Sequence, residues 1–542
     1  MKSFLSIKTS TWFFYVGLVI TATSPVWGVE YFVNQDGSAH VHSAYLMAEI
    51  LRGNPLVSNT YVLNSICVPN SSVHVILALL LQIYSAFTTT KIVVCGLFAG
   101  VVASVGWLRF ATVGNDGLKT SLLIGAAIAF NWLWLIGFYN FIFSVIIFAF
   151  TLGIYWKWRR YINAFRAFVL ASLFIAAYFS HIIGFVILAG SVALLALSSD
   201  RTYRNRTVIW TVISLLPIVP LAICYMSMSA DGSSLFPVWR SLAETFSLSN
   251  LFNQIRAADP FAIISRTAFP FIETPEKWFV IFTPSLWMTV AIIILVLITI
   301  RKRPIRSYFS NVYWPFAVLF VLAAAISVLG PDDFGISRGG LLRQRIVLCG
   351  LIFFVPLFRA AGSNTIKWVV QVCFALVILF QTAALWDYSV RADRVAREYV
   401  AARPAMTALG SVVSITIYEK GPRFRAGPEP QLNLYNAIGR NFAVWDNYEC
   451  GVPIFPVREK YKTDEDFTLQ ITSSNVFWVN EPARIFGERL AELDSALASD
   501  GGRIEALLVW GRDESVDAVI TRYFESEPYY QSDNVRIYRR RK

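Results

Sequence analysis

Apolar runs of 15 to 25 residues recur along the chain from Thr11 to Trp386 and then stop. A helix needs roughly 20 apolar residues to cross roughly 30 Å of hydrocarbon. The pattern therefore predicts a polytopic α-helical membrane protein. By length and apolarity the spans fall at about 11–29, 91–109, 119–136, 138–156, 162–180, 183–198, 207–226, 278–300, 312–329, 346–358 and 366–386, about eleven in all. The tenth is short and can extend back over Leu341 and Leu342. One further run, "SSVHVILALLLQIYSAFTTT" (71–90), is apolar enough to cross. Counting it would turn the basic loops after it to the opposite side. It is therefore expected to lie embedded in, or along, the membrane surface within one long first loop, 30–90.

Past Trp386 the pattern changes. "LWDYSVRADRVAREYVAARPAM" is helical and rich in charge, and short apolar strands follow at 412–418, 442–445, 476–479 and 506–511. Helical patterns at about 483–499 and 515–524 alternate with them, which predicts a small α/β domain over 387–542 behind a membrane domain over 1–386.

Charge then fixes an orientation. The 542 residues carry a formal charge of +12 and are 56% hydrophobic and 15% charged. With the N-terminus in the cytoplasm, the short inner loops collect Lys157, Arg159 and Arg160, then Arg201, Arg204 and Arg206, then Arg301, Lys302 and Arg303, against only Asp116 and Asp200 as acids. That is the positive-inside bias. It accounts for the basic character without nucleic acid and puts the C-terminal domain outside the cell membrane. The first run is read as an uncleaved span, since no good small-x-small cleavage site follows it. The six cysteines are scattered with no CxxC or paired spacing, so neither a disulfide framework nor a zinc knuckle is indicated. No GxGxxG or Walker sequence supports a nucleotide site.

The chemistry concentrates just after the first span, in "VEYFVNQDGSAHVHSAYLMAEILRGNP" (29–55). Asp36 and His40 lie one turn apart on a predicted helix, and His42 faces elsewhere. In the plainest reading Asp36 is the helix N-cap and the histidines sit at the wet interface. In the functional reading a carboxylate beside low-dielectric lipid gains basicity and serves as a general base, with His40 sharing or orienting the proton. A divalent metal is compatible with Asp and His, although nothing in the spacing requires one. His181 stands at the outer end of a span, where an ionisable residue is a functional candidate. Arg338, Arg343 and Arg345 sit near an outer span mouth, where guanidinium suits a lipid phosphate. Arg343 and Arg345 are two apart, so a helix does not aim both at one phosphate.

Taken together, "DGSAHVHSAYLMAE", "GFYNFIFSVIIFAFTLGIYWKWR", "YFSHIIGF" and "WDNYECGVPIFPVRE" resemble segments of a poorly characterised bacterial group similar to the GT-C superfamily of polytopic glycosyltransferases. The resemblance implies a bacterial inner-membrane enzyme with a polyprenyl-phosphate sugar as donor and a glycan, lipid or protein as acceptor. It also implies an acidic catalytic residue in the first outer loop, a place Asp36 matches. Here Gly37 follows Asp36, so the paired acids of better-known branches are absent. The expected function is inverting sugar transfer at the outer face, with Asp36 and His40 catalytic and His42, His181, Arg343 and Arg345 binding substrate. The alternatives are a transporter or lipid flippase, and a non-catalytic binding protein of the same fold.

Overall fold

The computed structural model describes residues 7–228, 258–261, 263, 288, 293, 313–331, 340–358, 364–407, 409–418, 423–440, 442–460, 475–479, 481–500 and 502–541. Nearly all of the predicted span 278–300 and of the loop 227–277, together with Arg338, lie outside those residues.

The first run forms α1 (Thr9–Trp27), and the long first loop folds into α2 (Gly37–Leu51), α3 (Pro55–Thr60), β1 (Tyr61–Leu63) and α4 (Ser72–Leu80). The apolar run at 71–90 is therefore not a span. Its helix has 9 residues, about 14 Å at 1.5 Å per residue, and α5 (Ala86–Thr112) begins inside the same run. Ser85 starts α5 by accepting the Thr88 N–H. Next come α6 (Leu118–Ala129), α7 (Trp132–Ile136), α8 (Tyr139–Trp158), α9 (Ala164–Ser180), α10 (Ile182–Leu197), α11 (Arg201–Leu215) and α12 (Ile218–Met228). After the undescribed stretch the chain resumes with α13 (Trp314–Leu329), α14 (Leu342–Phe354) and α15 (Asn364–Met406). Among the described residues three helices, within α5, α8 and α15, are long and apolar enough to cross a membrane, or four if α11 and α12, bent by 45°, count as one span.

Two expected spans differ in detail. The run 119–136 is broken between α6 and α7, and a break frees backbone carbonyls that hydrocarbon cannot satisfy. Side chains meet them here. The Asn131 amide donates to the carbonyls of Ile128 and Ala129, and Gln381 donates to those of Ala127 and Phe130. The last span does not end at 386 but continues through the charged segment as one helix of 43 residues. That is about 65 Å, roughly twice the hydrocarbon thickness.

Beyond α15 lie β2 (Ser411–Tyr418), α16 (Leu434–Ala437), β3 (Ala443–Val444), α17 (Tyr448–Gly451), β4 (Val457–Glu459) and β5 (Val476–Trp478). The chain closes with α18 (Ala483–Ser499), β6 (Ala506–Trp510), α19 (Glu514–Tyr523), β7 (Tyr530–Gln531) and β8 (Val535–Arg539). The sheet order is β3-β2-β6-β8-β7, with β5 also on β2. β2 is parallel to β3, β5 and β6, while β8 is antiparallel to both β6 and β7. Side chains alternate across a strand, and the cores alternate with them. Val413, Ile415, Leu507 and Val509 pack with Leu493 and Ile520 in a small core under α18 and α19. Val412, Ala506 and Leu508 join the large core shared with the membrane helices. The α/β tail and the helical body therefore share one apolar core.

The segment 445–460 leaves that sheet and docks on the first loop. β4 pairs antiparallel with β1, Tyr61 opposite Glu459 and Leu63 opposite Val457. Asn64 N–H donates to the Pro456 carbonyl at 2.8 Å and the Tyr61 hydroxyl to that of Val444 at 3.0 Å.

The cysteine spacing indicated no disulfide framework, yet one disulfide is present. Cys67, in the first loop, is bonded to Cys224 in α12, with Cα atoms 6.1 Å apart and a separation of 157 positions in sequence. Such a separation is invisible to spacing rules. In protein purified without reductant, Cys67 and Cys224 should resist a thiol label until reduced. A Cys67→Ser variant should lose roughly 2–4 kcal/mol of stability, read as a lower melting temperature. Ready labelling of both thiols in the oxidised protein would contradict the bond.

Candidate active site

The site begins where the chain turns into α2. Asp36 holds the N-cap position but makes no side-chain cap bond, so its carboxylate is spared for another use. Its backbone N–H donates to the Ile136 carbonyl at 2.8 Å. Asn34 reinforces the junction, donating to the Leu135 carbonyl at 2.8 Å and accepting from the Tyr139 hydroxyl at 2.7 Å. The two backbones meet at paired glycines. Gly137 has φ +108°, and a Cβ there would lie 2.6 Å from the Gly37 nitrogen. Gly137→Ala is expected to destabilise the protein by about 1–3 kcal/mol and to push Asp36 out of place. A melting temperature and turnover equal to wild type would contradict this.

Asp36 is buried. Burial first, and the charge of Glu449 second, push its carboxyl up to about 7, while hydrogen bonds with Tyr448 and Gln35 act in the opposite sense. Glu449 comes from α17, in the docked segment, and is fully buried. His40 Nδ1 touches its Oε1, and His74 Nε2 lies 2.9 Å from its Oε2. Burial works against the glutamate charge, but the two histidines outweigh it and hold the group well below its usual range. His40 Nδ1 and His74 Nε2 are 3.3 Å apart.

The other predicted residues separate into two places. His181 Nε2 meets Arg345 Nη1 at 2.6 Å, and the guanidinium lies over the rings of Phe138 and Phe141. The Arg345 charge acts on Tyr448, which in turn hydrogen-bonds Asp36. Asp36, His40, Arg345 and His181 are thus joined through Tyr448 and Glu449. His42 faces away from this cluster: its Nδ1 accepts from Asn447 at 3.0 Å, and burial lowers its pKa to about 4, so the ring is neutral. It anchors the docked segment. Arg343 is buried and precedes Arg345 by two positions on α14, about 200° around the helix.

Sequence reasoning missed His74 and Glu449. The signal in each case was an ionisable residue inside an apolar or aromatic stretch, His74 in "SSVHVILALLL" and Glu449, with Asp446, in "WDNYECGVPIFP". Such a residue is costly to bury and marks a site by default.

His40, His74 and Glu449 offer one atom each within 4.8 Å of one another, a donor set that zinc accepts. The surrounding bonds do not suit a metal. A ligating histidine donates its other ring N–H to an acceptor. The outer nitrogen of His74, Nδ1, faces the amide nitrogen of Asn140 at 3.3 Å. That amide is oriented by accepting from Val73 N–H and donating to the Asn70 carbonyl. The outer nitrogen of His40, Nε2, is buried with no partner among the described residues.

No protein-family model matches the chain, and no curated protein matches it. Among solved structures the chain is similar to the single-particle cryo-EM structure of the arabinofuranosyltransferase AftD from mycobacteria, at 12% identity and a TM-score of 0.43. That match covers 99% of this chain and 40% of the other, so this chain spans less than half of that protein's length.

Proposed function

We propose that this protein is a membrane glycosyltransferase of the GT-C type. It moves a sugar from a polyprenyl-phosphate donor to a hydroxyl acceptor at the outer face of the membrane, with inversion. The observation that carries the reading is a buried carboxylate near neutrality, Asp36, linked through Tyr448 to a buried arginine at the mouth of an apolar helix. Arg345 keeps its Nε without a partner among the described residues, and a guanidinium is suited to phosphate. Asp36, with His40 sharing the proton, activates the acceptor hydroxyl. The hydroxyl oxygen attacks the anomeric carbon, the carbon–oxygen bond to phosphate breaks, and its electron pair leaves with the lipid phosphate. The outward orientation has two supports: the basic inner loops and the Cys67–Cys224 bond, since disulfides persist in oxidising compartments.

The test is release of lipid phosphate by protein purified in lipid, offered a panel of radiolabelled polyprenyl-phosphate sugars with pooled glycan acceptors. Release from at least one donor is expected. The second reading, a lipid flippase, is favoured by the breaks at α6–α7 and α11–α12, because discontinuous helices mark transport sites. It predicts that labelled lipid changes leaflet intact while no lipid phosphate is released, an outcome that rejects the transferase.

A further inference from the structure

We propose that Glu449 and His74 set the tautomer of His40 so that His40 Nε2 is the atom on which the acceptor's proton comes to rest. This rests on the transferase reading and assigns the proton within it.

The contacts to Glu449 set the direction of the hydrogen bonds, and the 3.3 Å approach of His40 Nδ1 to His74 Nε2 is then one between two N–H groups that share the carboxylate. Asn140 Oδ1 accepts from the Val73 N–H at 3.1 Å and its Nδ2 donates to the Asn70 carbonyl at 2.9 Å, which fixes the amide. The second hydrogen on that nitrogen then faces His74 Nδ1, which accepts. A neutral histidine protonates one nitrogen only, so His74 Nε2 carries its hydrogen and donates to Glu449 Oε2. The other oxygen of Glu449 touches His40 Nδ1. An ionised carboxylate accepts only, so that nitrogen too bears hydrogen. What is left is His40 Nε2, which in the neutral ring is a bare lone pair, buried and with no partner among the described residues. A buried acceptor without a donor is costly, and here a substrate hydroxyl would supply the donor.

In the transfer, the acceptor O–H breaks as its oxygen bonds the anomeric carbon. Asp36, one turn earlier on α2, meets the proton first, and it passes to His40 Nε2. The product imidazolium is paired with Glu449 through Nδ1–H. Asp36 returns to the carboxylate form. Glu449 and His74 are positioning residues, because they act through the His40 ring.

The chain has four histidines, so protein labelled with ¹⁵N-histidine gives a spectrum simple enough to assign by single substitutions. The expected result is hydrogen on Nδ1 of His40 and on Nε2 of His74 in the wild type, with both signals displaced in Glu449→Gln. Hydrogen on His40 Nε2, or a metal bound one per chain, overturns the proposal without recourse to activity. In turnover, His40→Gln and Glu449→Gln are each expected to lower kcat by about 10²-fold or more, with KM for the donor unchanged. Full activity of His40→Gln with loss in Asp36→Asn overturns the proton assignment and leaves the transferase standing. No release of lipid phosphate by the wild type rejects the transferase itself.

Discussion

Asp36→Asn is expected to lower lipid phosphate release by about 10²- to 10⁴-fold and, in the same preparation, to raise the melting temperature above pH 7. Both effects have one cause. The buried carboxyl is pushed up to about 7 from an ordinary 3.8, so folding favours its neutral form. A group whose folded pKa is raised contributes stability below its unfolded pKa and loses that contribution as pH rises through the folded value. Wild type therefore weakens between about pH 4 and pH 7, at most by about 1.4 kcal/mol for each pH unit crossed, and stays weakened above. Asparagine does not ionise and escapes this loss. A reactive group held at a cost to stability is a common trade in active sites. Melting curves at pH 6 and pH 8.5, beside the release assay, decide the matter. Equal turnover and equal melting behaviour in the two proteins would remove Asp36 from both roles.

The second large effect concerns Glu449. Truncation to Ala leaves the N–H groups of His40 and His74 buried without their common acceptor, and each buried donor left unpaired costs about 1–3 kcal/mol. Removing all three polar side chains together costs less. A triple variant, His40→Leu, His74→Leu and Glu449→Leu, should melt closer to wild type than Glu449→Ala does, while being inactive. If the single variant melts with wild type, the cluster is not what holds segment 445–460 to the first loop. Acid should act in the same direction as truncation. The lowered pKa of Glu449 means that its stabilisation is complete above the ordinary glutamate range. It is lost as pH falls toward the folded value.

Much of this architecture is legible in local pattern. The helix after Asp36, the strands at 412–418 and 506–511 and the helices at 483–499 and 515–524 emerge within a residue or two of their expected places. Each is a periodicity read over a short window. What the sequence hides is pairing at a distance. β1 and β4 are three residues each and carry no strand signal until they meet. β7 and β8, with two and five residues, escaped for a similar reason. The Cys67–Cys224 bond and the contact of His74 with Glu449, 375 residues apart, have no local trace at all. In the candidate site, Asp36 and His40 stood out because they share one helical turn. Arg345 and His181 stood out because charge at a span end is rare, although their contact with one another was not foreseen.

That separation also bears on how the protein is made. His40 and His74 are translated early, and α2 and α4 can fold on the membrane surface while the remaining spans are still being synthesised. Their acceptor, Glu449, arrives only after α15 and β2. A chain without its tail would hold two histidines facing a gap, so the cluster closes only once segment 445–460 has been made. Contacts between such remote parts of a chain also form slowly. Assembly of the cluster is thereby coupled to synthesis of the tail as far as segment 445–460.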